Sequence, residues 1–385
     1  MVGVPVKPEL LRWARERAGV ALEDLEKKKP FTKLSEWESD RDVFPTLKQL
    51  EAFAKAVHVR LGYLFLDEPP EERLPIADFR TIGNKQRAKP SPNLIDTIYA
   101  MQRRQDWMHD YMIECQASPL PFAGSADLSD DPGTIGMEMR KMMGLNRGWA
   151  RKVSTWQDAV AKLRRDIEEL GVMAVINGIV GNSTNRSLDV KEFRGFALTD
   201  QYAPLIFVNG KDSKAAQMFT LAHELAHIWL GESGLSGFEK LIPAGTEVEE
   251  WCNRAAAEFL LPSQELMERW NQVKGQEAPY RVLAREYKVS PIVAARRALD
   301  LQLIEKVTYF EFYEDYISQP IKSQRSSSGG DFYRTQNVRL GRLFATRVIG
   351  AAMEGKIGFK RAYELTGLWG GTFRDYAKEL GIQLT

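Results

Sequence analysis

Cysteine and histidine are both scarce in this chain, which has two cysteines and four histidines in 385 residues. Two cysteines cannot build a disulfide framework, so a hydrophobic core must hold the fold, and a reducing cytoplasm is the expected setting. No apolar run reaches the length of a membrane span, and the first residues, Met1–Pro5, do not resemble a signal peptide. The sequence therefore predicts a cytoplasmic protein with no membrane partner.

The chain also lacks a dominant charge, because 53 Lys and Arg oppose 52 Asp and Glu, for a formal net charge of +1. This balance provides no overall attraction to nucleic acid or to a membrane surface, so any such contact must come from a local patch. With 44% hydrophobic residues, the chain is long enough to bury at least two cores. No internal repeat indicates a solenoid.

Two of the four histidines stand in one short segment, residues 221–227, with the sequence LAHELAH. On a helix, His223 and His227 lie on one face about one turn apart, where they can bind a single zinc ion while Glu224 faces its open side. Apolar residues at helical spacing from Asp212 to Trp229 place the motif in a buried helix. The pattern predicts metal-assisted hydrolysis, with a peptide bond as the expected target. The alternative is a pair of core histidines bonded to backbone groups.

A catalytic zinc site usually takes three protein ligands, and the two remaining histidines lie far upstream, so a carboxylate must complete the set. The next long helix is predicted over residues 246–261. Glu249 and Asn253 are four apart and share a face of it, so Glu249 is the best third ligand and Asn253 could hold a histidine ring nitrogen. Glu250 is the substitute ligand. The alternative for this acidic cluster is a solvated helix start favoured by the helix dipole.

Other polar residues near the motif have weaker claims. Glu247 and Glu258 are expected to face solvent or to hold a loop. Cys252 adjoins the site in sequence, although a buried structural cysteine is commoner than a cysteine ligand. Arg194 and Tyr202 lie upstream, but neither can be assigned as the donor that stabilises a developing oxyanion, so that role stays empty.

Four blocks carry a resemblance to a known family: EFRGF at 192–196, IFVN at 206–209, FTLAHELAH at 219–227, and the spaced pattern from Glu249 through Asn253 to Pro262. In this order they resemble the ImmA/IrrE family of zinc metallopeptidases, closely over residues 172–261. The resemblance implies a gluzincin-like metallopeptidase domain and a Zn²⁺ cofactor. It also implies roles for four side chains: His223, His227 and Glu249 as ligands and Glu224 as the catalytic carboxylate. Family members are associated with cutting a helix-turn-helix repressor, which implies a repressor-like protein substrate.

The first 70 residues form a different unit, in which several short helices with tight turns are typical of a helix-turn-helix bundle. The segments LSEWES at 34–39, PTLKQL at 45–50 and LGYLF at 61–65 resemble the Xre/Cro-type domain, which implies operator DNA as a partner and a homodimer. The helix that would enter the major groove is acidic and would repel DNA. The candidate DNA-binding residues are therefore the nearby cations Lys27, Lys28, Lys29, Lys33 and Arg41. DNA binding and a protein-docking or dimerisation bundle remain alternatives.

The remaining chain completes a fold that is mainly α with a small β-sheet, an α+β class. Short Val- and Ile-rich runs at 171–180, 195–198 and 203–208 predict the strands, and an edge strand could bind an extended peptide or simply support the site. The predicted domains are a helix-turn-helix domain at 1–70, a linker at 71–92, the metallopeptidase domain at 93–270 and a helical C-terminal region at 271–385.

The last segment, residues 331–385, is moderately basic, with nine Lys or Arg against five Asp or Glu. A small helix-turn-helix unit is predicted over 359–380. The basic residues that could contact nucleic acid or an acidic protein partner are Arg334, Arg339, Arg342 and Arg347. An ordinary solvated helical face explains the same pattern. The resemblance suggests that fused proteins of this layout pair with a neighbouring toxin.

Three functions follow as hypotheses. The first is a cytoplasmic zinc-dependent endopeptidase, fused to a helix-turn-helix domain, that hydrolyses a regulatory protein such as a repressor. The second is a DNA-binding transcriptional repressor, or the antitoxin of a toxin-antitoxin pair, that uses the metallopeptidase fold only for binding. The third is a scaffold stabilised by its metal. Glu224 favours the first, because a binding protein needs no general base.

Overall fold

The structure, a computed structural model, describes residues 3–40, 42–71, 74–78, 90–236, 246–319 and 332–382. The chain divides into two compact units, the first containing residues 1–75 and 88–96 and the second residues 76–87 and 97–385. The described residues are mainly helical with a small mixed sheet, which confirms the predicted fold class. No described helix is long and apolar enough to cross a bilayer.

The first unit is built from short helices around its own core. Its helices are α1 Pro8–Arg17, α2 Leu22–Glu26, α3 Leu34–Ser39 and α4 Leu47–Ala56, with 3-10 turns at Lys29–Phe31 and Leu61–Phe65. Thr46 caps α4 in a reciprocal capping box with Gln49, which explains where that helix begins. Leu11, Leu34 and Phe53 are among the buried residues of the core.

The second unit holds the sheets and most of the helices. Its strands are β1 Ala77–Asp78, β2 Met173–Asn177, β3 Ile179–Val180, β4 Ser183–Ser187, β5 Gly195–Leu198, β6 Leu205–Asn209 and β7 Gly234–Ser236. Its helices are α5 Pro92–Glu114, which begins in the residues of the first unit, then α6 Pro132–Met142, α7 Trp156–Glu169, α8 Lys214–Leu230, α9 Glu247–Leu260, α10 Ser263–Val273, α11 Pro279–Tyr287, α12 Pro291–Asp300, α13 Lys306–Ser318, α14 Phe332–Arg339, α15 Arg342–Met353, α16 Phe359–Thr366 and α17 Gly370–Glu379. A further 3-10 turn covers Trp149–Lys152.

The main sheet has the strand order β1-β7-β5-β6-β2 among the described residues. Strands β2 and β6 are parallel, β5 runs antiparallel to both β6 and β7, and β1 is parallel to β7. The three predicted strands are present as β2, β5 and β6. Every residue of these strands is buried, as their continuous apolar sequence requires.

Helix α8 packs on β5 and β6, and α9 lies between α8 and α6. Gly136 of α6 makes the close α6–α9 approach possible, because a Cβ at that position would lie 2.5 Å from the Ala255 carbonyl oxygen. The Trp251 indole donates to the Asp130 carbonyl oxygen at 2.9 Å and ties α9 to the segment before α6. These contacts hold α9 in place beside α8.

A group of four side chains, here called the arginine clamp, closes the C-terminal end of α9: Arg140, Arg297, Glu258 and Glu265. Arg140 and Arg297 each donate to a carbonyl oxygen at the end of that helix, at 3.0 and 3.1 Å. Arg140 also pairs with Glu265 at 2.8 Å, and Arg297 pairs with Glu258. Cations at a helix C-terminus satisfy carbonyl groups that lack intrahelical partners and complement the helix dipole.

The C-terminal helices complete the second unit. Helix α14 packs against β2, and α15 contacts α7. The buried Glu168 carboxylate of α7 accepts from the Leu343 backbone N–H at 3.2 Å and so caps the start of α15. The helices predicted within 359–380 are present as α16 and α17, joined by a turn in which Gly367 has φ +68°.

Candidate metal centre

Helix α8 carries the predicted motif through the middle of the second unit. Ser213 begins the helix by accepting from the Ala216 N–H at 3.2 Å, and Gly231 ends it in the left-handed conformation, with φ +73°. Residues 217–229 are all buried, because the sheet lies on one side of the helix and α9 on another. His223 and His227 therefore share a fully buried face.

The structure brings the three predicted ligands together. The Nε2 atoms of His223 and His227 lie 3.1 Å apart. Glu249 reaches them from the first turn of α9, with Oε1 at 3.1 Å from His227 Nε2 and Oε2 at 3.5 Å from His223 Nε2. All three residues are buried. This group, here called the triad, could hold a metal ion.

The triad fits the donor set of a tetrahedral zinc site. Metal–ligand lengths of about 2.0–2.1 Å at the tetrahedral angle place neighbouring ligand atoms about 3.3–3.4 Å apart. The observed separations of 3.1, 3.1 and 3.5 Å bracket that value. Two imidazoles and one carboxylate are the ligand set of several catalytic zinc sites, in which the fourth position is left to solvent or substrate.

The electrostatics of the triad favour metal-binding protonation states. Burial lowers the pKa of His223, although Glu249 acts in the opposite direction, and a lowered pKa favours the neutral ring whose nitrogen lone pair a metal would need. Burial by itself would raise the pKa of Glu249, but the two histidines outweigh it and hold that pKa at about 2. The carboxylate is therefore ionised in the absence of any metal.

Glu224 lies on the same helix, directly after the first ligand, and is fully buried. Neither of its oxygens forms a hydrogen bond of ordinary geometry with a described residue. Burial, and then the negative charge of Glu249, raise the pKa of Glu224 well above its usual range, while the Ser236 side chain acts to lower it. An ionised carboxylate that is buried without a partner is unfavourable, and among the described residues Glu224 has no counter-charge that would offset its ionised form.

Two residues that the sequence did not single out shape this carboxylate's surroundings. A Cβ on Gly195 of β5 would lie 2.8 Å from Glu224 Oε1 and 2.5 Å from the Thr220 methyl carbon, so only glycine leaves room for the acid. Ser236, at the end of β7, places its Oγ 3.4 Å from His223 Nε2. Strand β7 is only three residues long and has no alternating pattern, so sequence reasoning missed it.

The remaining candidate site residues on α9 differ in how far their side chains are buried. Asn253 lies one turn after Glu249 and acts to raise the pKa of His223, but its Oδ1 forms no hydrogen bond of ordinary geometry with a described residue, so its role in holding a histidine ring stays a prediction. Glu250, the substitute ligand, is exposed and is not part of the triad; Glu247 is exposed as expected. Cys252 is fully buried as an un-ionised thiol, because burial raises its pKa far above the usual range.

Glu258 was expected either to face solvent or to hold a loop, and it holds a loop. The side chain is buried and accepts from the Ser263 N–H at 2.9 Å and from the Ser263 hydroxyl at 3.1 Å, in addition to its pair with Arg297. Arg194 lies 3.5 Å from Asp212, and the Tyr202 ring packs edge-on against His109. Neither contact assigns a donor for a developing oxyanion.

The edge strand beside the triad is partly covered by the chain itself. Ala77 and Asp78 of β1 pair with Gly234 and Leu235 of β7. Backbone pairing with a substrate along those two residues would require β1 to leave, and β1 belongs to the stretch predicted as a linker. The hypothesis of strand addition is therefore restricted to the end of β7, where Ser236 lies.

A cleft of about 1470 Å³ lies between α6, α9 and α12, and its lining includes none of the triad residues and not Glu224. Two of its lining residues lie close to the triad along the helices: Asn253 is one turn after Glu249 on α9, and Phe219 is one turn before His223 on α8, with the Phe219 and His223 ring centroids 6.3 Å apart. Its walls carry both charges, and several are paired across the cleft by the arginine clamp.

The predicted DNA-binding residues of the first unit have mixed surroundings. Lys27 pairs with Asp24 at 2.8 Å and Lys33 with Glu36 at 3.3 Å, which offsets both charges locally. Lys28 and Lys29 are exposed, and Arg41 lies outside the described residues. Glu38 of α3 is buried against Arg15 at 2.7 Å and has a structural role.

The arginines singled out near the C-terminus differ in exposure. Arg342 and Arg347 are exposed on α15. Arg339 is half-buried and lines a small pocket with residues that follow β2 and β6. The side chain of Arg334 lies outside the described residues.

Comparison with known families bears on the triad. Residues 183–299 match the peptidase M78 family, described as the IrrE N-terminal-like domain, over less than a third of the chain. Residues 340–379 match a family described as a domain of unknown function, DUF8813. No curated protein matches the chain. The first match covers His223, Glu224, His227 and Glu249, and it supports the resemblance to the ImmA/IrrE family: this part of the chain is similar to a metallopeptidase-type domain.

Proposed function

We propose that this protein is a zinc-dependent endopeptidase that hydrolyses a regulatory protein, such as a repressor or a toxin-like partner. The observation that carries the proposal is the buried triad of His223, His227 and Glu249 beside Glu224, whose carboxylate has no hydrogen-bond partner of ordinary geometry among the described residues. A structural zinc site would close all four positions with protein ligands, whereas this one offers three ligands and a neighbouring acid. That arrangement matches the needs of hydrolysis.

A zinc ion held by the triad would supply Lewis acidity, which activates water and polarises a carbonyl group. Glu224 is the group that can accept a proton from the attacking water and return it to the leaving amine, because it is the one unpaired acid of α8 beside the ligands. Its raised pKa brings the carboxylate closer to the range in which it can both take and give a proton. Gly195 leaves the space that this carboxylate occupies.

The substrate reaches the triad through the cleft between α6, α9 and α12. A volume of about 1470 Å³ is more than a small-molecule site usually needs, and it suits a segment of polypeptide. Exposed Lys141 and Arg254 alternate with exposed Glu138 and Glu250 on its walls, which favours a segment that carries both charges. We place the backbone of the scissile bond beside Asn253, the residue of the cleft lining that lies one turn after Glu249 on α9.

The first unit is proposed to recruit the target protein. Its predicted reading helix presents exposed Glu36, and two of its nearby lysines are paired with acids, so phosphate neutralisation is weak on this face. Docking of a protein partner fits this surface better than docking of operator DNA.

The test uses the full-length chain with Glu224→Gln, which keeps the shape of the side chain and removes its basicity. We expect this variant to retain about one zinc per chain and to capture its target from cells of the source. Wild-type protein should then cleave the captured protein, and the variant should be at least about a hundredfold slower. Mass spectrometry of cross-linked complexes would locate the docking surface.

Glu247→Gln is the matched control, since Glu247 is exposed at the start of α9 and lies outside both the triad and the cleft lining. It should cleave at the wild-type rate. Equal cleavage by the Glu224→Gln variant, or a chain that binds no zinc, would overturn the proposal.

A further inference from the structure

A second pocket, of about 280 Å³, lies at the start of α8. It is lined by the end of β2 and residues 178–179 after it, by residues 210–211 after β6, by the first residue of α8 and by α14. His223 is nine residues further along α8, or about 13 Å at the usual helical rise. The pocket is therefore separate from the triad, although one helix connects the two.

The loops that form the pocket are built by short-range contacts. The Gly210 N–H donates to the Asn177 carbonyl oxygen at 2.9 Å, and the Asn209 side chain accepts from the Lys211 N–H at 3.1 Å. A Cβ on Gly210 would lie 2.9 Å from the Gly178 nitrogen, so glycine lets the two loops meet. Gly178 in turn leaves room for the Lys211 stem, because its own Cβ would lie 3.0 Å from that side chain.

Three cations from three different segments face this pocket: Lys211 from the loop after β6, Lys214 from α8 and Arg339 from α14. The described residues that line it include no carboxylate. Asp212, the nearest acid in sequence, lies 3.5 Å from Arg194 and is not in the lining. The Lys214 ammonium donates to a neutral acceptor, Gln217 Oε1, at 3.0 Å.

Among the described residues, no acidic side chain lines the pocket to offset the charge of the half-buried Lys214 and Arg339. Burial lowers the pKa of both Lys214 and Arg339, and no acidic group opposes this shift in either case. Removing a charge from water without pairing it costs free energy, so buried cations are usually paired with an anion. An anionic ligand between the three side chains would offset that cost.

The position in the fold is one where anions commonly bind. Strands β2 and β6 are parallel neighbours, and the pocket lies outside their carboxyl ends, where open α/β sheets bind ligands. The chain passes from β6 through Gly210 into the first turn of α8, whose N–H groups and dipole favour negative charge. The cationic lining of the pocket and its place at the start of α8 therefore both favour a negatively charged ligand.

We propose that this pocket binds the phosphate group of a small molecule, with Lys211, Lys214 and Arg339 as its cationic contacts. Three cations suit a doubly charged anion, and the planar guanidinium of Arg339 can bind two phosphate oxygens at once. The volume is at the lower limit of small-molecule sites, so it holds the phosphate while any attached sugar or base lies outside. Inorganic phosphate and a nucleoside monophosphate are the two sources.

The experiment titrates full-length protein with inorganic phosphate and, separately, with AMP, using isothermal calorimetry. We expect saturable binding of at least one probe, weakened at least about tenfold by Lys211→Met and by Lys214→Met. Lys191→Met is the control, since Lys191 is exposed and outside the pocket, and it should bind like wild type. Circular dichroism confirms that each variant is folded.

The two probes distinguish the sources. Equal affinity for both indicates that the phosphate alone is recognised, and tighter binding of AMP indicates a nucleotide ligand. No saturable binding of either probe, or binding that is unchanged when Lys211→Met and Lys214→Met are combined, would overturn the proposal. The outcome does not depend on catalysis at the triad, because the readout is binding alone.

Discussion

The two ends of α9 differ in whether their buried carboxylates have partners among the described residues. At its C-terminal end, Glu258 pairs with Arg297 and accepts two hydrogen bonds from Ser263. At its N-terminal end, Glu249 meets two histidines and lies near Glu224, whose oxygens have no hydrogen-bond partner of ordinary geometry among the described residues. Both ends are buried, so solvent does not explain the difference.

The comparison teaches how to separate structural charge from functional charge. A buried ion that its own chain pairs completely holds the fold together, as the arginine clamp does for the end of α9. A buried ion that the chain leaves short of partners indicates a ligand of opposite sign. The acidic surplus at the triad points to a cation, and the cationic surplus at the start of α8 points to an anion.

The largest expected effect comes from breaking the triad. Glu249→Ala removes one of three ligands and leaves two buried histidines, so we expect zinc content to fall from about one per chain to a small fraction, with cleavage lost as well. Inductively coupled plasma mass spectrometry of purified protein measures the metal. Glu250→Ala is the control, because Glu250 is the neighbouring but exposed residue, and it should keep its zinc. If both variants retained metal equally, Glu249 would not be a ligand.

Breaking the arginine clamp should lower stability instead of abolishing metal binding. Arg297→Met leaves Glu258 buried and short of its charged partner, which costs about 3–5 kcal/mol in the free energy of unfolding. Denaturant unfolding measures the change. Combining Arg297→Met with Glu258→Gln should recover part of this loss, because the orphaned charge is removed. Loss of zinc from folded Arg297→Met protein would contradict the inference that the arginine clamp stabilises the fold and has no part in metal binding.

A smaller effect is expected from a substitution in β5, where Gly195 lies close to Glu224. In Gly195→Ala, the added methyl group would lie 2.8 Å from Glu224 Oε1 and 2.5 Å from the Thr220 methyl carbon, so Glu224 must move. We expect unchanged zinc content and cleavage reduced at least about tenfold, since displacements of about 1 Å at a reacting group can cost a hundredfold. Gly350→Ala is the control, because a methyl group added there would meet no neighbouring side chain or distant backbone atom within 4 Å. Cleavage at the wild-type rate by the Gly195→Ala variant would show that the position of Glu224 does not depend on a glycine at residue 195.

Much of the site followed from local sequence. The spacing of His223 and His227 on a helix, and of Glu249 and Asn253 on the next, depends only on helical geometry and on caps such as Ser213 and Thr246. Both helices are present with bounds close to those predicted. A local pattern can specify which side chains share a face.

The parts that sequence reasoning missed depend on contacts between distant segments. Arg140 and the carbonyl oxygen it caps are 119 residues apart, and nothing near either residue indicates their contact. Ser236 lies on a three-residue strand whose pairing with β5 and β1 sets its place. Short strands without alternation carry almost no local signal, because their stability comes from neighbours supplied by other parts of the chain.

The sequence by itself determined the chemistry available to this protein: two histidines one turn apart, an acid between them, a third candidate ligand on a second helix, and too little overall charge for general attraction to nucleic acid. Only the tertiary structure decided which charges are satisfied. Whether a buried acid or base finds its partner depends on segments far away in sequence, and the packing of α8, α9 and α14 leaves the triad acidic and the pocket at Lys214 cationic. Those residual charges arise from packing, because burial is what makes an unpaired charge costly.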